Sequence, residues 1–279
     1  MIRQISILPA LPLRPYIREY HWIGSDALLN EWMDEDNLPF PSSGLCFQFG
    51  RAAPVMITHG DTEREALPAG YVLPPSTERF TVHFRGGQRM LAVIFHLAAF
   101  FEFFGWPLHE FSDRTVPLGD TDGRRELLPL QARLKALPQL RQQAEVLDAY
   151  FLGRLKKKMA SNPTIRQSLD LIAGKRISPG RQELLRETGV SSRHLRRLFN
   201  EHLGMPPRAF LRILRFYRAY WALAAGRYDN LTRLALDTGY YDQAHFIHDF
   251  HHFTGLSPHQ FLEREFKILD KIAWKNGGK

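Results

Sequence analysis

The sequence predicts an α+β fold, with a mostly-β unit and flanking helices over residues 1–159 and an all-α unit of seven helices over residues 160–279. Three observations carry that prediction. Short apolar runs with strand-like patterning fill the first 125 or so residues, helical periodicity takes over from about Glu126, and one motif is written twice near the C-terminus.

The strand pattern is clearest at 45-LCFQFG-50, where Leu45, Phe47 and Phe49 alternate with Cys46 and Gln48. Alternation with a period of two is the mark of a half-buried strand. The runs 54–60, 70–75, 79–84 and 90–97 are similar in length and are separated by Gly, Pro and charged residues. Short strands at such spacing suit a small barrel or sandwich. The segment 98-AAFFEFFG-105 is expected to be a helix closing one end.

Leucines then crowd 127–140, where Pro129 and Pro138 limit continuity, and the stretch 144–160 places Leu147, Tyr150, Phe151 and Leu155 on one helical face. Spacing of i, i+3, i+4 and i+8 gives an apolar stripe that packs on the β unit or on a second copy of the chain, the former being the commoner use. Lys156, Lys157 and Lys158, followed by Ser161, Asn162 and Pro163, suggest a linker and a boundary near residue 160.

Helix punctuation is legible beyond it. Asn162-Pro163 starts one helix, which Gly174 stops, and Ser178-Pro179 opens the next, ending at Thr188-Gly189. Ser191 or Ser192 caps a third, Pro207 begins a long fourth, and Ser257-Pro258 opens a last helix toward Leu269.

The repeat lies within this region. In 184-LLRETGVSSRHLRRLFNEHLGMPPRAFL-211 and 234-LALDTGYYDQAHFIHDFHHFTGLSPHQFL-262, Thr188-Gly189 matches Thr238-Gly239. After one extra residue in the second turn, His194, Phe199, Gly204, Pro207, Phe210 and Leu211 match His245, Phe250, Gly255, Pro258, Phe261 and Leu262. Each copy has the form helix, Gly-containing turn, helix, Gly, then Pro opening a further helix. Two helix-turn-helices in one chain imply two reading heads for one duplex. The intervening helix, about 19 residues at 1.5 Å each, spans roughly 28 Å, and successive major grooves facing one side lie about 34 Å apart.

Charge agrees. Residues 1–159 hold 18 Lys+Arg against 18 Asp+Glu, whereas residues 160–279 hold 19 against 11, so the formal +8 sits in the helical part. A localised basic surplus is the electrostatic footprint of a nucleic-acid-binding unit. A single cysteine, Cys46, rules out an intrachain disulfide framework and suits a reducing cytoplasm. No run approaches the roughly 20 apolar residues of a membrane span, and no membrane partner is expected.

In the first copy's second helix Leu195, Leu198 and Phe199 share one face, while Arg193, Arg196, Arg197 and Asn200 share another. Guanidinium groups can bond guanine O6 and N7 together, although some will hold phosphates instead. The second copy differs: Phe246, Phe250 and Phe253 form its core stripe, and Gln243, Ala244, Ile247, His248 and His251 its outer one. Gln suits adenine, and Ala or Ile can sit on thymine methyls. The first helix is expected to dominate affinity. Arg212, Arg215 and Arg218 on the long helix can contact phosphates or form salt bridges.

Taken together, 162–266 resembles the AraC/XylS family of bacterial transcription regulators, on GVSSRHLRRLFNEHLGMPPRAFL and GYYDQAHFIHDFHHFTGLSPHQF. The resemblance implies base contacts from Arg193, Arg196 and Arg197 in one helix and from Gln243, Ala244, Ile247 and His248 in the other. Pro206, where a polar cap is usual, and His248-Asp249, where the family commonly carries Arg or Lys, depart from the pattern. The stretches 12–24, 40–50 and 111–120 are similar to the cupin-like sensory domains attached to such regulators, which implies a cupin-like barrel with an effector or dimerisation role. The expected partners are double-stranded DNA, RNA polymerase, a small-molecule effector and a second copy of the chain.

Enzymatic anchors are weak. His245, His248 and His252 share a helix whose phenylalanine stripe needs packing, and His245 matches His194, which marks it as an architectural position. His59, His83 and His96 lack the spacing of a metal cluster. No catalytic residue, metal or cofactor is expected. The expectation is a cytoplasmic, sequence-specific DNA-binding regulator, an activator controlled through its N-terminal unit. The alternative is a small-molecule-binding or enzymatic β-barrel whose helical tail binds DNA weakly.

Overall fold

The computed structural model describes residues 2–25, 32–49, 54–59, 63–119, 125–174 and 179–263. Its first part holds ten strands: β1 (Ile2–Ile7), β2 (Ile17–Ser25), β3 (Met33–Asn37), β4 (Gly44–Gln48), β5 (Met56–His59), β6 (Glu65–Ala66), β7 (Gly70–Leu73), β8 (Phe80–Phe84), β9 (Arg89–Phe95) and β10 (Val116–Pro117). They form two sheets, ordered β1-β2-β9-β4-β7-β10 and β3-β8-β5-β6, with antiparallel pairing throughout.

Side-chain alternation assigns the two faces of the larger sheet. Leu45, Phe47, Val72, Leu91, Val93 and Phe95 point one way and pack under α1 (Ala99–Phe104), α2 (Leu128–Ala136) and α3 (Leu140–Leu155). Phe95 lies edge-on to Phe100 and Phe151, with ring centroids 5.4 and 5.5 Å apart. The apolar stripe of α3 therefore serves this core, with Leu147 and Phe151 fully buried and Tyr150 and Leu155 packed beside them. Tyr20 of β2 donates to Asp148 of α3 at 2.8 Å, strapping the helix to the sheet.

Cys46, Tyr71, Ala92 and Ile94 point the other way, toward Ile57, Phe80 and Val82 of the second sheet. The expectation of a half-buried strand at 45–50 is thus corrected. Both faces of β4 are covered, because helices close one side and a sheet the other.

Seven helices lie beyond residue 160 among the described residues: α4 (Pro163–Ala173), α5 (Arg181–Thr188), α6 (Ser192–Leu203), α7 (Pro207–Ala224), α8 (Leu231–Thr238), α9 (Gln243–Thr254) and α10 (Pro258–Leu262). Asn162 caps α4 by accepting from the amides of Thr164 and Ile165, as its position before Pro163 predicts. α5 begins two residues after Pro179, with Gly180 at its N-cap, so the predicted Ser178-Pro179 start is corrected. The expected continuation toward Leu269 lies outside the described residues. None of the described helices is long and apolar enough to cross a membrane.

The helices pack around Phe199, Phe210, Phe216, Tyr217, Phe246 and Phe250, and this core runs without a break into the one between the sheets. The segment expected to be a linker is tied to α1 at three of its residues. Glu102 of α1 accepts from Met159 through its backbone at 2.7 Å and from Ser161 through its carboxylate at 2.5 Å, and Lys158 lies 3.4 Å away.

Candidate nucleic-acid interface

The two repeats build the same frame. Helices α5 and α8 end on Gly189 and Gly239, whose φ values of 69° and 92° lie in the left-handed region that glycine adopts without steric cost. Ser191 and Asp242 then cap α6 and α9 by accepting from the amides of His194 and His245, at 3.2 and 2.7 Å. Both second helices stop at a further left-handed glycine, Gly204 or Gly255. The extra residue of the second turn, between Gly239 and Asp242, is absorbed there without altering either helix. What His194 and His245 share is this capped amide. The His194 side chain is exposed, so the architectural role expected of it belongs to its backbone.

The helices that follow start differently. Ser257 and Gln260 make a reciprocal capping box at α10, whereas Pro206 offers α7 no side-chain cap. The departure noted at Pro206 thus leaves the start of α7 to Pro207, whose fixed φ favours the first helical turn.

On α6, Leu195, Leu198 and Phe199 are buried while Arg193, Arg196 and Arg197 are exposed and Asn200 is half-buried. The three arginines are not equivalent. Arg197 donates to both carboxylate oxygens of Glu201, at 2.8 and 3.0 Å, while Arg193 and Arg196 make no ion pair among the described residues. Arg193 and Arg196 therefore present unengaged forks, whereas Arg197 already spends Nη1 and part of its charge on Glu201.

On α9, Ala244 and His248 are exposed, Gln243 is half-buried, and Ile247 packs partly against the helical core. The Gln243 carbonyl accepts from the Thr232 hydroxyl at 2.6 Å, which fixes the amide and leaves its NH2 group to donate outward. The hydrogen bond depends on a residue of the preceding helix, and nothing in the recognition-helix sequence alone pointed to it. Sequence reasoning also passed over Tyr241, which precedes the cap of α9 and is 87% exposed. A large aromatic held so far into solvent at a reading head was detectable as the residue inserted relative to the first repeat.

The long-helix arginines are structural. Arg212 and Arg215 converge on Asp249, which is 2% exposed, and stack over Phe253 and Tyr240 respectively. Arg218 donates to the Ile172 carbonyl at 2.8 Å. Asp249 is thereby neutralised by partners behind the helix, so it subtracts little from the field at the reading face. The three histidines of α9 go separate ways: His245 lies edge-on to Tyr240, His248 is exposed, and His252 lies 3.5 Å from Glu78 of the β-rich part.

Residues 184–264 match the family described as helix-turn-helix domain. This part of the chain is an AraC-family helix-turn-helix domain. The AraC-type domain makes this part of the chain a DNA-binding unit of the kind found in transcription regulators. Residues 5–117, which hold all ten strands but the first residues of β1, match a domain of unknown function, DUF6597. No curated protein matches the sequence.

Solved structures similar to the chain include ToxT from Vibrio cholerae, at 10% identity over 94% of this chain and 98% of that one, with a TM-score of 0.46. Wild-type ToxT with an unsaturated fatty acid bound is 12% identical over 85% and 96%, with a TM-score of 0.44. A probable AraC family transcriptional regulator from Rhodopseudomonas palustris is 28% identical over 37% of this chain and 97% of that one, with a TM-score of 0.33. Likenesses this loose carry no functional weight beside the helix-turn-helix match.

Proposed function

We propose that this protein is a sequence-specific transcription activator that reads two successive major-groove segments with α6 and α9 and is controlled through its β-rich part. The unit boundary near residue 160 separates reading from control. Arg193, Arg196, Arg197 and Asn200 carry the first contact, and Gln243, Ala244, Ile247 and His248 the second. The observation that carries this reading is the pair of exposed, unengaged arginines on α6, set on a frame whose helix caps and left-handed glycines recur in the second repeat. The second head offers a fixed amide donor and apolar surface, so it discriminates more than it grips.

The control function rests on a cavity between the two sheets, which we read as the interior of a cupin-like barrel. Its walls include Ile23, Cys46, Ile57, Tyr71, Val82 and Ile94, and they are almost wholly apolar. Among the polar residues of the wall, which include Ser76 and Thr115, His21 stands out: its Nδ1 meets Ser6 Oγ at 3.0 Å, and its buried Nε2 has no hydrogen-bond partner among the described residues. Burial, aided by the nearby Arg18 charge, pushes His21 down to about 4, so it is neutral near pH 7. A small-molecule effector is read there, and RNA polymerase and a second copy of the chain are the further partners.

Selection of bound duplexes from a random library tests the reading. A two-block consensus with its blocks one helical turn apart is expected, and binding should fall steeply with salt. Enrichment of no sequence would overturn it.

A further inference from the structure

The segment 74-PPSTER-79 joins β7 to β8 and is bonded into neither sheet's ladder. One side of it is cavity wall: Leu73, Pro74, Ser76 and Phe80 line the space between the sheets. Its other side lies against the DNA-binding helices. A Cβ built on Gly204, the C-cap of α6, would overlap the Pro75 ring and the Ser112 hydroxyl. A Cβ built on Gly255, the C-cap of α9, would overlap the Arg79 guanidinium. Ser112 donates to the Gly204 carbonyl, and Glu78 lies 3.5 Å from His252 at the end of α9.

These two glycines are equivalent points of the two repeats, with φ values of 76° and 73°. One short segment thus meets both reading heads at the same place on each. It is also stiff. Asp113 accepts from the Thr77 amide and hydroxyl at 2.8 and 3.0 Å, and Ser76 exchanges backbone hydrogen bonds with Phe40 at 2.8 and 3.1 Å. The neighbouring Pro39 carbonyl accepts from Tyr217 of α7 at 2.6 Å, so the helix joining the two heads is held from the same side.

The cavity is small, about 50 Å³, and a water needs about 10–15 Å³ of such space. A single aromatic ring therefore fits only if a wall yields. Strands β2, β9, β4 and β7 are inner strands of a six-stranded sheet, whereas Pro74 and Ser76 belong to a stretch of wall that no ladder holds. Among the described residues no charged side chain lines the cavity, so an ion would lose its hydration without compensation. A compact neutral molecule with one polar atom for His21 Nε2 is the chemistry that fits.

We propose that residues 74–79 are a transmission element: a compact neutral apolar ligand with one hydrogen-bonding group, seated between the sheets, displaces this segment and so resets the C-caps of both reading heads together. The ligand half of this rests on the effector reading above; the brace on Gly204 and Gly255 does not.

Amide hydrogen exchange on the full chain, without DNA, tests it separately from the regulatory reading. Arg79→Ala, an exposed position, is expected to speed exchange near Gly255 by about threefold or more, and Ser112→Ala to do so near Gly204. Ala92→Met, which adds volume inside the cavity, should change both regions at once, and the two changes should disappear in the Arg79→Ala/Ser112→Ala background. 4-Methylphenol serves as the ligand probe; it should raise the melting temperature of the unsubstituted protein and alter exchange at both caps. Unchanged exchange near both glycines in Arg79→Ala and Ser112→Ala overturns the brace. A change at one cap only, with Ala92→Met or with 4-methylphenol bound, overturns the joint transmission, and no binding of 4-methylphenol overturns the ligand class.

Discussion

Arg212 of α7 grips Asp249 of α9 with two nitrogens, Nε at 3.0 Å and Nη2 at 2.9 Å from the same carboxylate oxygen. Arg215 takes the other oxygen at 3.3 Å. The second recognition helix is therefore pinned to the helix that connects it to the first. Removing the carboxylate strands two guanidiniums in a partly buried site. Asp249→Ala is expected to cost about 3 kcal/mol, the scale of a broken buried pair. Asp249→Asn should cost less, because it keeps an acceptor. Urea unfolding checks this, and a midpoint unmoved by Asp249→Ala would show the pair to be energetically idle.

The engaged state of Arg197 sets an order among the reading-face arginines. Arg196→Ala should weaken binding to the selected duplex by about 1–3 kcal/mol, the scale of a good bidentate contact. Arg197→Ala should cost less, because its free state already holds Glu201. Glu201→Gln releases that arginine and should tighten binding and steepen the salt slope. Titration of each variant at two salt concentrations decides it; equal losses for Arg196→Ala and Arg197→Ala would remove the distinction.

Much of this frame was legible because it is local. Cap residues act on amides two or three positions away, and left-handed glycines end helices wherever they stand, so Asn162, Ser191, Gly204 and Gly255 announced themselves. The strands β4, β7, β8 and β9 were legible for the same reason. β2 was not, since Arg18, Glu19 and His21 interrupt its apolar pattern; Arg18 and His21 are nonetheless buried under later elements. β3, written Met-Asp-Glu-Asp-Asn, carries carboxylates whose partners come from elsewhere: Asp34 meets His83 at 2.6 Å, and Asp36 accepts from Thr81 at 2.8 Å. The same holds for Arg212 and Arg215. Their partner lies more than thirty residues away, and only the packing of α7 on α9 chooses it over phosphate.

His21 makes stability depend on acidity. Its folded-state value of about 4 lies below the ordinary 6.5, so between those values the unfolded chain binds a proton that the folded chain refuses. Stability is then fully present above about pH 6.5, falls as pH drops toward 4, and loses at most about 3 kcal/mol through this group. The charged and polar groups around it, Arg18 and Ser6, do not reverse that sign. His21→Gln should flatten the difference between melting temperatures at pH 7 and pH 5. An identical pH dependence in both proteins would mean that His21 titrates alike in the folded and the unfolded chain.

The last test separates backbone strain from contact at the paired glycines. Gly189 and Gly204 have similar left-handed φ values, 69° and 76°, but a Cβ on Gly189 meets nothing within 4 Å. Gly189→Ala therefore pays only for conformation, about 1 kcal/mol. Gly204→Ala carries the same strain and also drives a methyl group into Pro75, Ser112 and Leu108. It should cost about 1–3 kcal/mol more, the range for overpacking. In Gly204→Ala the extra loss should shrink when Ser112 is replaced by Gly, since one of the overlapping groups is then gone. Thermal unfolding of the three variants measures this; equal losses at Gly189 and Gly204 would mean that the β-rich part does not press on α6.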